Sequence, residues 1–125
     1  MAEKEEKILY ICTHAGEDPE KAAMPFVMAN AAITMDIKTT IALQGNGVYL
    51  AQKGYVDTML PAGGFPPVKK LIHDFMEHGG KLLVCVPCIK ERNINEDSDM
   101  IDGAQTTAAG TLTVEALESD AVFVY

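Results

Sequence analysis

Basic residues are scarce relative to acidic ones in this chain of 125 residues. Ten Lys and Arg stand against eighteen Asp and Glu, so the formal net charge is −8. Phosphate backbones and anionic membrane surfaces are bound by clustered Lys and Arg, which this balance does not favour. We therefore expect no nucleic-acid partner and no membrane partner.

Long apolar runs and disulfide-forming cysteines are also lacking. No apolar stretch approaches the roughly 18 residues that cross a bilayer, and the segment 1–7 carries mixed charge instead of the apolar core of a signal peptide. Three cysteines are too few for a disulfide framework. In a reducing compartment, thiols are typical of redox, transfer or metal chemistry. We expect a cytoplasmic protein.

Strand-forming runs alternate with helical patterns along the whole chain. The predicted strands are 8–12, 38–43, 81–86 and 121–125. The predicted helices begin at Pro19, Val48, Pro66, Pro87 and Thr111. The segment 103–109 is ambiguous between a strand and the start of a helix. This alternation, with 48% apolar residues to form a core, predicts one small α/β domain. We expect a doubly wound parallel sheet of four or five strands with helices on both faces.

The clearest helix follows Pro66-Pro67. Its apolar residues fall on one stripe, at Val68, Leu71, Ile72, Phe75 and Met76. This spacing is typical of an amphipathic helix that packs on a core. The pair Gly79-Gly80 is expected to end it.

The segment Cys85-Val86-Pro87-Cys88 is the sharpest candidate for chemistry. Sites in doubly wound sheets lie at the carboxyl ends of the strands, where Cys85 and also Cys12 are predicted. Cys85 leaves a strand and enters a helical turn, whose unpaired amides and dipole stabilise a thiolate. This predicts a pKa for Cys85 below the usual value of about 8.5. Arg92, seven residues later, adds positive charge.

Other interpretations of these residues remain open at this point. A single C-x-x-C pair is compatible with a redox dithiol, with half of a zinc site or with two buried structural cysteines. A zinc site would require the set Cys12, His14, Cys85 and Cys88, and we do not expect a metal. The turn 44–47 precedes a helix and has amides for an anion, although it lacks a phosphate-loop motif.

The residues around Cys85 resemble a known family. Leu83-Val84-Cys85-Val86, with Arg92 after it, is similar to the segment around the sulfur-accepting cysteine of DsrE/TusD-type proteins. The segments 18–26, 41–51, 103–104 and 121–125 are similar to the wider DsrE/DsrF-like (YchN/TusD-like) sulfur-relay family. The resemblance covers nearly the whole chain. Asn93 stands where the family has a glycine, a position that can be left-handed, and Cys88 is additional.

The resemblance implies a flavodoxin-like α/β fold over residues 1–125 and a homo-oligomer, either a trimer or a hexamer. Family members with assigned roles carry sulfur as a cysteine persulfide. Cys85 then accepts the sulfur, and Arg92 stabilises the anionic sulfur. The additional Cys88 does not follow from the resemblance; our own hypothesis is that it attacks the persulfide, releases sulfide and leaves a disulfide by thiol exchange. Sulfur donor and acceptor proteins are the implied partners, and we expect no cofactor. The alternatives are a dithiol redox protein and an assembly or regulatory subunit with structural cysteines.

Overall fold

The computed structural model describes residues 5–125, so residues 1–4 of the N-terminal segment lie outside it. Within this range, five strands form one sheet with the order β4-β3-β2-β1-β5. They are β1 (Lys7–Cys12), β2 (Lys38–Leu43), β3 (Lys81–Cys85), β4 (Gln105–Thr107) and β5 (Ala121–Val124). Every pair of neighbouring strands is parallel. The chain builds the sheet outward from β1 and then returns to the other side of it, which confirms the doubly wound prediction.

The helical segments cover most of the remaining chain in the described range. They are α1 (Pro19–Thr34), a first 3₁₀ helix (Gly45–Ala51), a second 3₁₀ helix (Tyr55–Thr58), α2 (Val68–Glu77), α3 (Val86–Glu91) and α4 (Ala109–Leu117). No helix within residues 5–125 combines the length and the apolar character that a bilayer crossing requires.

Several sequence-based boundaries differ from the structure by one to three residues, including the start of α2, which is Val68 and not Pro66. The helix expected from Val48 is a 3₁₀ helix that already begins at Gly45. The ambiguous segment 103–109 contains β4, and α4 begins at Ala109 rather than Thr111. Strand β4 has three residues, and it is a strand because it pairs with β3. A strand of this length is too short to show an alternation of apolar and polar residues, so the sequence alone does not identify it.

Local signals explain the first two α-helices. Asp18 caps α1, since its side-chain Oδ1 accepts a hydrogen bond from the Lys21 amide at 3.1 Å, and Pro19 occupies the first helical position. In α2 the predicted stripe is buried except for the partly buried Met76, and Phe75 is fully covered. Gly79 follows with φ +90°, a left-handed conformation that suits glycine after a helix.

The sheet separates two unequal layers. One face carries α1, α2, α3 and the first 3₁₀ helix, over a core that includes Tyr10, Phe26 and Phe75. The other face is covered within the described residues by α4, whose Leu112 packs on a small cluster of alternating strand residues. Helices on both faces are therefore confirmed. Val122 and Val124 lie on the thinly covered face and are 44% and 66% exposed.

Candidate functional site

Cys85 and Cys88 lie together where β3 ends and α3 begins. Cys85 is the last residue of β3 and the N-cap of α3, and Pro87 lies in the first turn of that helix. The two Sγ atoms are 2.7 Å apart, and both thiols are free and half-buried. The strand-to-helix junction therefore presents a close pair of thiols at the carboxyl edge of the sheet.

The turn Gly45-Asn46-Gly47 forms the second wall of this site. The Gly45 amide donates a hydrogen bond to the Sγ atom of Cys88 at 3.3 Å. A Cβ atom on Gly47 would lie 2.1 Å from the Cys12 carbonyl oxygen, so only glycine allows the turn to approach β1 this closely. The Gly45 amide, which belongs to the candidate anion turn 44–47, therefore donates to the thiol of Cys88.

Arg92 connects α3 to the first 3₁₀ helix through hydrogen bonds. Its Nη1 donates to the Cys88 carbonyl oxygen and its Nη2 donates to Asn46 Oδ1, each at 3.1 Å. The guanidinium carbon lies 5.7 Å from the centre of the Tyr49 ring, which itself stacks on Tyr55 at 5.3 Å. Sequence analysis includes Asn46 and Tyr49 in the family-like segment 41–51, but it did not connect them with Arg92, because Asn46 and Arg92 lie 46 positions apart in the chain.

The position after Arg92 adopts the backbone conformation that the family glycine suggested. Asn93 has φ +56°, and asparagine tolerates the left-handed region better than most residues. Its amide donates to the Lys90 carbonyl oxygen at 3.2 Å. The substitution of asparagine for glycine therefore keeps the turn that leaves α3.

The pKa of Cys85 is raised, which makes the sequence-based prediction of a lowered pKa wrong. Burial is the largest cause, and the side-chain hydrogen bond with Cys88 raises the pKa further. The backbone amide of Cys88 and the charge of Arg92 lower the pKa, but they do not outweigh burial. The position of Cys85 at the start of the six-residue helix α3 therefore does not lower its pKa on balance.

Cys12 lies apart from this pair. It ends β1, whereas β2 lies between β1 and β3 in the sheet. Its Sγ donates to the His14 carbonyl oxygen at 3.4 Å, and burial raises its pKa to about 12. The His14 ring instead lies 2.6 Å from a carboxylate oxygen of Glu17. The four-residue zinc set is not assembled.

Titratable side chains elsewhere do not form a metal cluster. In the part of the chain from residue 5 to residue 125, no group of three or more His, Cys, Asp and Glu side chains is arranged to hold an ion. The site therefore consists of two thiols, one amide and one guanidinium.

Three uncharacterized proteins are similar to this chain in sequence. An uncharacterized protein of Methanocaldococcus jannaschii is 35% identical over 109 residues, which cover 86% of this chain but only 38% of that protein. A second uncharacterized protein of the same organism is 31% identical over 119 residues, which cover 95% of this chain and 99% of that protein. An uncharacterized protein of Methanopyrus kandleri is 26% identical over 118 residues, with 94% and 93% covered.

Solved structures share the fold. The ychN protein from E. coli superimposes with a TM-score of 0.79 at 16% identity, covering 96% of this chain and 99% of that chain. A protein of unknown function from Methanobacterium thermoautotrophicum gives a TM-score of 0.68 at 11% identity, with 98% and 100% covered. The sequence model of the DsrE/DsrF-like family matches residues 6–125. This chain belongs to the DsrE/DsrF-like family.

Proposed function

We propose that this protein is a sulfur carrier that accepts sulfane sulfur as a persulfide on Cys85 and passes it to an acceptor. The observation that carries the proposal is the half-buried thiol of Cys85 at the carboxyl end of β3, in a chain of the DsrE/DsrF-like family. Cys12 is fully buried and has no comparable access. The accessible thiol chemistry therefore belongs to Cys85 and Cys88.

The transfer is an exchange at sulfur. The Cys85 thiolate attacks the outer sulfur of a donor persulfide, so a new S–S bond forms at Cys85 and the donor leaves as a thiolate. In the second step an acceptor thiolate attacks the same outer sulfur, and Cys85 leaves as a thiolate. The charge of Arg92 favours the anionic form of Cys85 in both steps. No net oxidation occurs.

This proposal includes partners and an assembly. Sulfur donor and acceptor proteins supply and remove the sulfur, and the cytoplasm is the reducing compartment that keeps the thiols free.

A homo-oligomer, a trimer or a hexamer, is supported by exposed apolar residues, since Val124 and Leu117 are 66% and 79% exposed. Native mass spectrometry would detect three or six copies, and a single-copy mass at every concentration would contradict the assembly.

Intact mass tests the transfer directly. Reduced protein is incubated with inorganic polysulfide beside the variants Cys85→Ser and Cys88→Ser. We expect Cys88→Ser, which retains Cys85, to gain about 32 Da, one sulfur, and Cys85→Ser to gain none. A Cys85→Ser variant that loads sulfur normally would exclude Cys85 as the carrier. No gain in Cys88→Ser would favour the structural-subunit alternative.

A dithiol redox role is the second candidate, and the 2.7 Å separation of the two sulfur atoms favours it. In that role the pair cycles with a disulfide substrate and requires no sulfane sulfur. Incubation with oxidised glutathione would then remove about 2 Da from the wild type and from neither serine variant. A wild type that stays reduced in this incubation would contradict the redox role and leave the carrier role standing.

A further inference from the structure

We propose that Cys88 is a resolving thiol that attacks the persulfide on Cys85, so that the site releases hydrosulfide and closes to a disulfide. The turn Gly45-Asn46-Gly47 would belong to this site as the group that stabilises the Cys88 anion. The inference rests on the proposed loading of Cys85 and names what becomes of the sulfur. It makes the protein a reductase of sulfane sulfur as well as a carrier.

The separation of the sulfur atoms selects which sulfur is attacked. In a persulfide the inner sulfur is the Sγ atom of Cys85, which the strand-to-helix junction holds 2.7 Å from the Sγ atom of Cys88. The outer sulfur projects away from this anchored atom by one further bond. Cys88 therefore meets the inner sulfur first, and attack there expels the outer sulfur.

The atoms and electrons of this step balance. A bond forms between the two Sγ atoms, and the bond from Cys85 to the outer sulfur breaks. The outer sulfur takes the electron pair of that bond and leaves as hydrosulfide, while the proton of Cys88 passes to solvent or to the leaving sulfur. Cys85 and Cys88 are left as a disulfide. A small dithiol such as dithiothreitol, as reductant, reopens it for another cycle.

The hydrogen bond from Gly45 favours Cys88 as the attacking thiolate. A thiol sulfur is a weak acceptor, whereas a sulfur anion is a strong one, so the amide 3.3 Å away stabilises the charged form. Arg92 does not face the sulfur of Cys88 directly; it binds the Cys88 carbonyl oxygen and Asn46. Arg92 and Asn46 are therefore positioning residues that hold the amide against the sulfur.

The test follows mass and sulfide together. Reduced protein with residues 1–125 is treated with a slight excess of inorganic polysulfide, desalted and held without reductant. We expect the wild type to end about 2 Da lighter with one hydrosulfide released per chain, and Cys88→Ser to keep about 32 Da and release none. Cys12→Ala is the matched control, because Cys12 is a thiol outside the site, and it is expected to follow the wild type.

The outcomes separate the two proposals. A wild type that retains the added sulfur as Cys88→Ser does overturns the resolving role and leaves the carrier intact. Hydrosulfide release from Cys88→Ser at the wild-type rate also overturns the resolving role. If Cys88→Ser never gains sulfur, it is the carrier function that fails.

The rate of hydrosulfide release tests the positioning role of Asn46. Asn46→Ala removes the acceptor of the Arg92 Nη2 hydrogen bond, and we expect hydrosulfide release to slow about tenfold, the effect of losing one such bond. Asn46→Asp keeps an acceptor and is expected to restore the rate. A wild-type rate of hydrosulfide release in Asn46→Ala would contradict the role.

Discussion

The amide of Gly45 donates a hydrogen bond to the sulfur of Cys88 at 3.3 Å, across 43 positions of sequence. This contact joins the loop after β2 to the helix after β3. Because of this contact, the glycine-rich turn is part of the site that contains the two thiols. Arg92 strengthens the same junction through the Cys88 carbonyl oxygen and Asn46.

The reactivity of Cys85 is expected to rise with pH beyond the range of an ordinary thiol. Burial raises its pKa, so the thiolate is depleted at neutral pH and continues to form above the usual value of about 8.5. Alkylation of Cys85 by iodoacetamide, followed by peptide mass spectrometry from pH 6 to pH 10, measures this. A short peptide with the same Cys85–Cys88 segment is the control. A rate that levels off below pH 8 in the protein would contradict the raised pKa.

Cys12 is expected to resist alkylation in the folded protein at every pH at which the fold persists. Its side chain is fully buried, and burial raises its pKa to about 12. Native protein should therefore label at Cys85 and Cys88 only, and Cys12 should label once urea unfolds the chain. The two half-buried thiols serve as internal controls. Labelling of Cys12 in native protein would show that the end of β1 opens.

Replacing Arg92 is expected to loosen the junction between α3 and the first 3₁₀ helix. Arg92→Gln removes a charge that bonds to two oxygen atoms from a half-buried position, which lowers the free energy of unfolding by about 1–2 kcal/mol. Urea denaturation measures this loss. Lys90→Gln, on the exposed surface of α3, is the matched control and should change little. Equal losses in the two variants would mean that general charge, not the junction, is responsible.

Two glycine substitutions are expected to have opposite effects. In Gly47→Ala the new Cβ would lie 2.1 Å from the Cys12 carbonyl oxygen, so backbone must move and the free energy of unfolding should fall by roughly 2 kcal/mol or more. In Gly110→Ala nothing lies within 4 Å of the new Cβ, inside helix α4, so stability should rise by about 0.5–1 kcal/mol. Parallel urea titrations compare the pair, and a neutral Gly47→Ala would contradict the close approach.

Glu115 is expected to make the fold sensitive to acid. Burial raises its pKa, but hydrogen bonds from Thr40 at 2.8 Å and Lys81 at 3.1 Å lower it more, so the net pKa is lowered. A carboxyl whose folded pKa lies below its unfolded value stabilises the protein above about pH 4.3, and this stabilisation is lost as pH falls through the folded pKa.

The Glu115→Gln variant measures this contribution. It removes the ionisable group and should flatten the loss of stability on the acid side, while lowering stability at pH 7. Glu118→Gln is the control, because the Glu118 side chain is 60% exposed. Stability curves from pH 3 to pH 7 that run parallel for Glu115→Gln and the wild type would contradict the assignment.

Local sequence signals were sufficient for several elements. The cap and proline at Asp18 and Pro19 mark the start of α1, and the apolar stripe ending near Phe75 marks α2. The position of Cys85 at a strand-to-helix junction also follows locally, from an apolar run followed by Pro87. Each of these signals arises from residues within a turn or two of one another, so no knowledge of the rest of the fold is needed.

Non-local relationships required the tertiary structure. Strand β4 exists because Gln105–Thr107 pairs with β3, and three residues are too few to show a period. The direction of the Cys85 pKa shift depends on burial and on the Cys88 side chain, whereas the sequence showed only the helix start. The contacts of Arg92 with Asn46 and Tyr49 likewise join segments that are distant along the chain.

Local sequence therefore predicts the α/β class, the apolar stripe of α2 and the placement of two thiols at one junction. The tertiary structure shows that the Gly45 amide donates a hydrogen bond to the sulfur of Cys88 and that Cys12 is fully buried. It also shows that the pKa of Cys85 is raised, against the prediction from its position at a helix start. The reason is the distance along the chain over which each effect acts. Periodicity and capping act within a few residues, but desolvation and hydrogen bonding at the carboxyl edge depend on which strands the sheet places side by side.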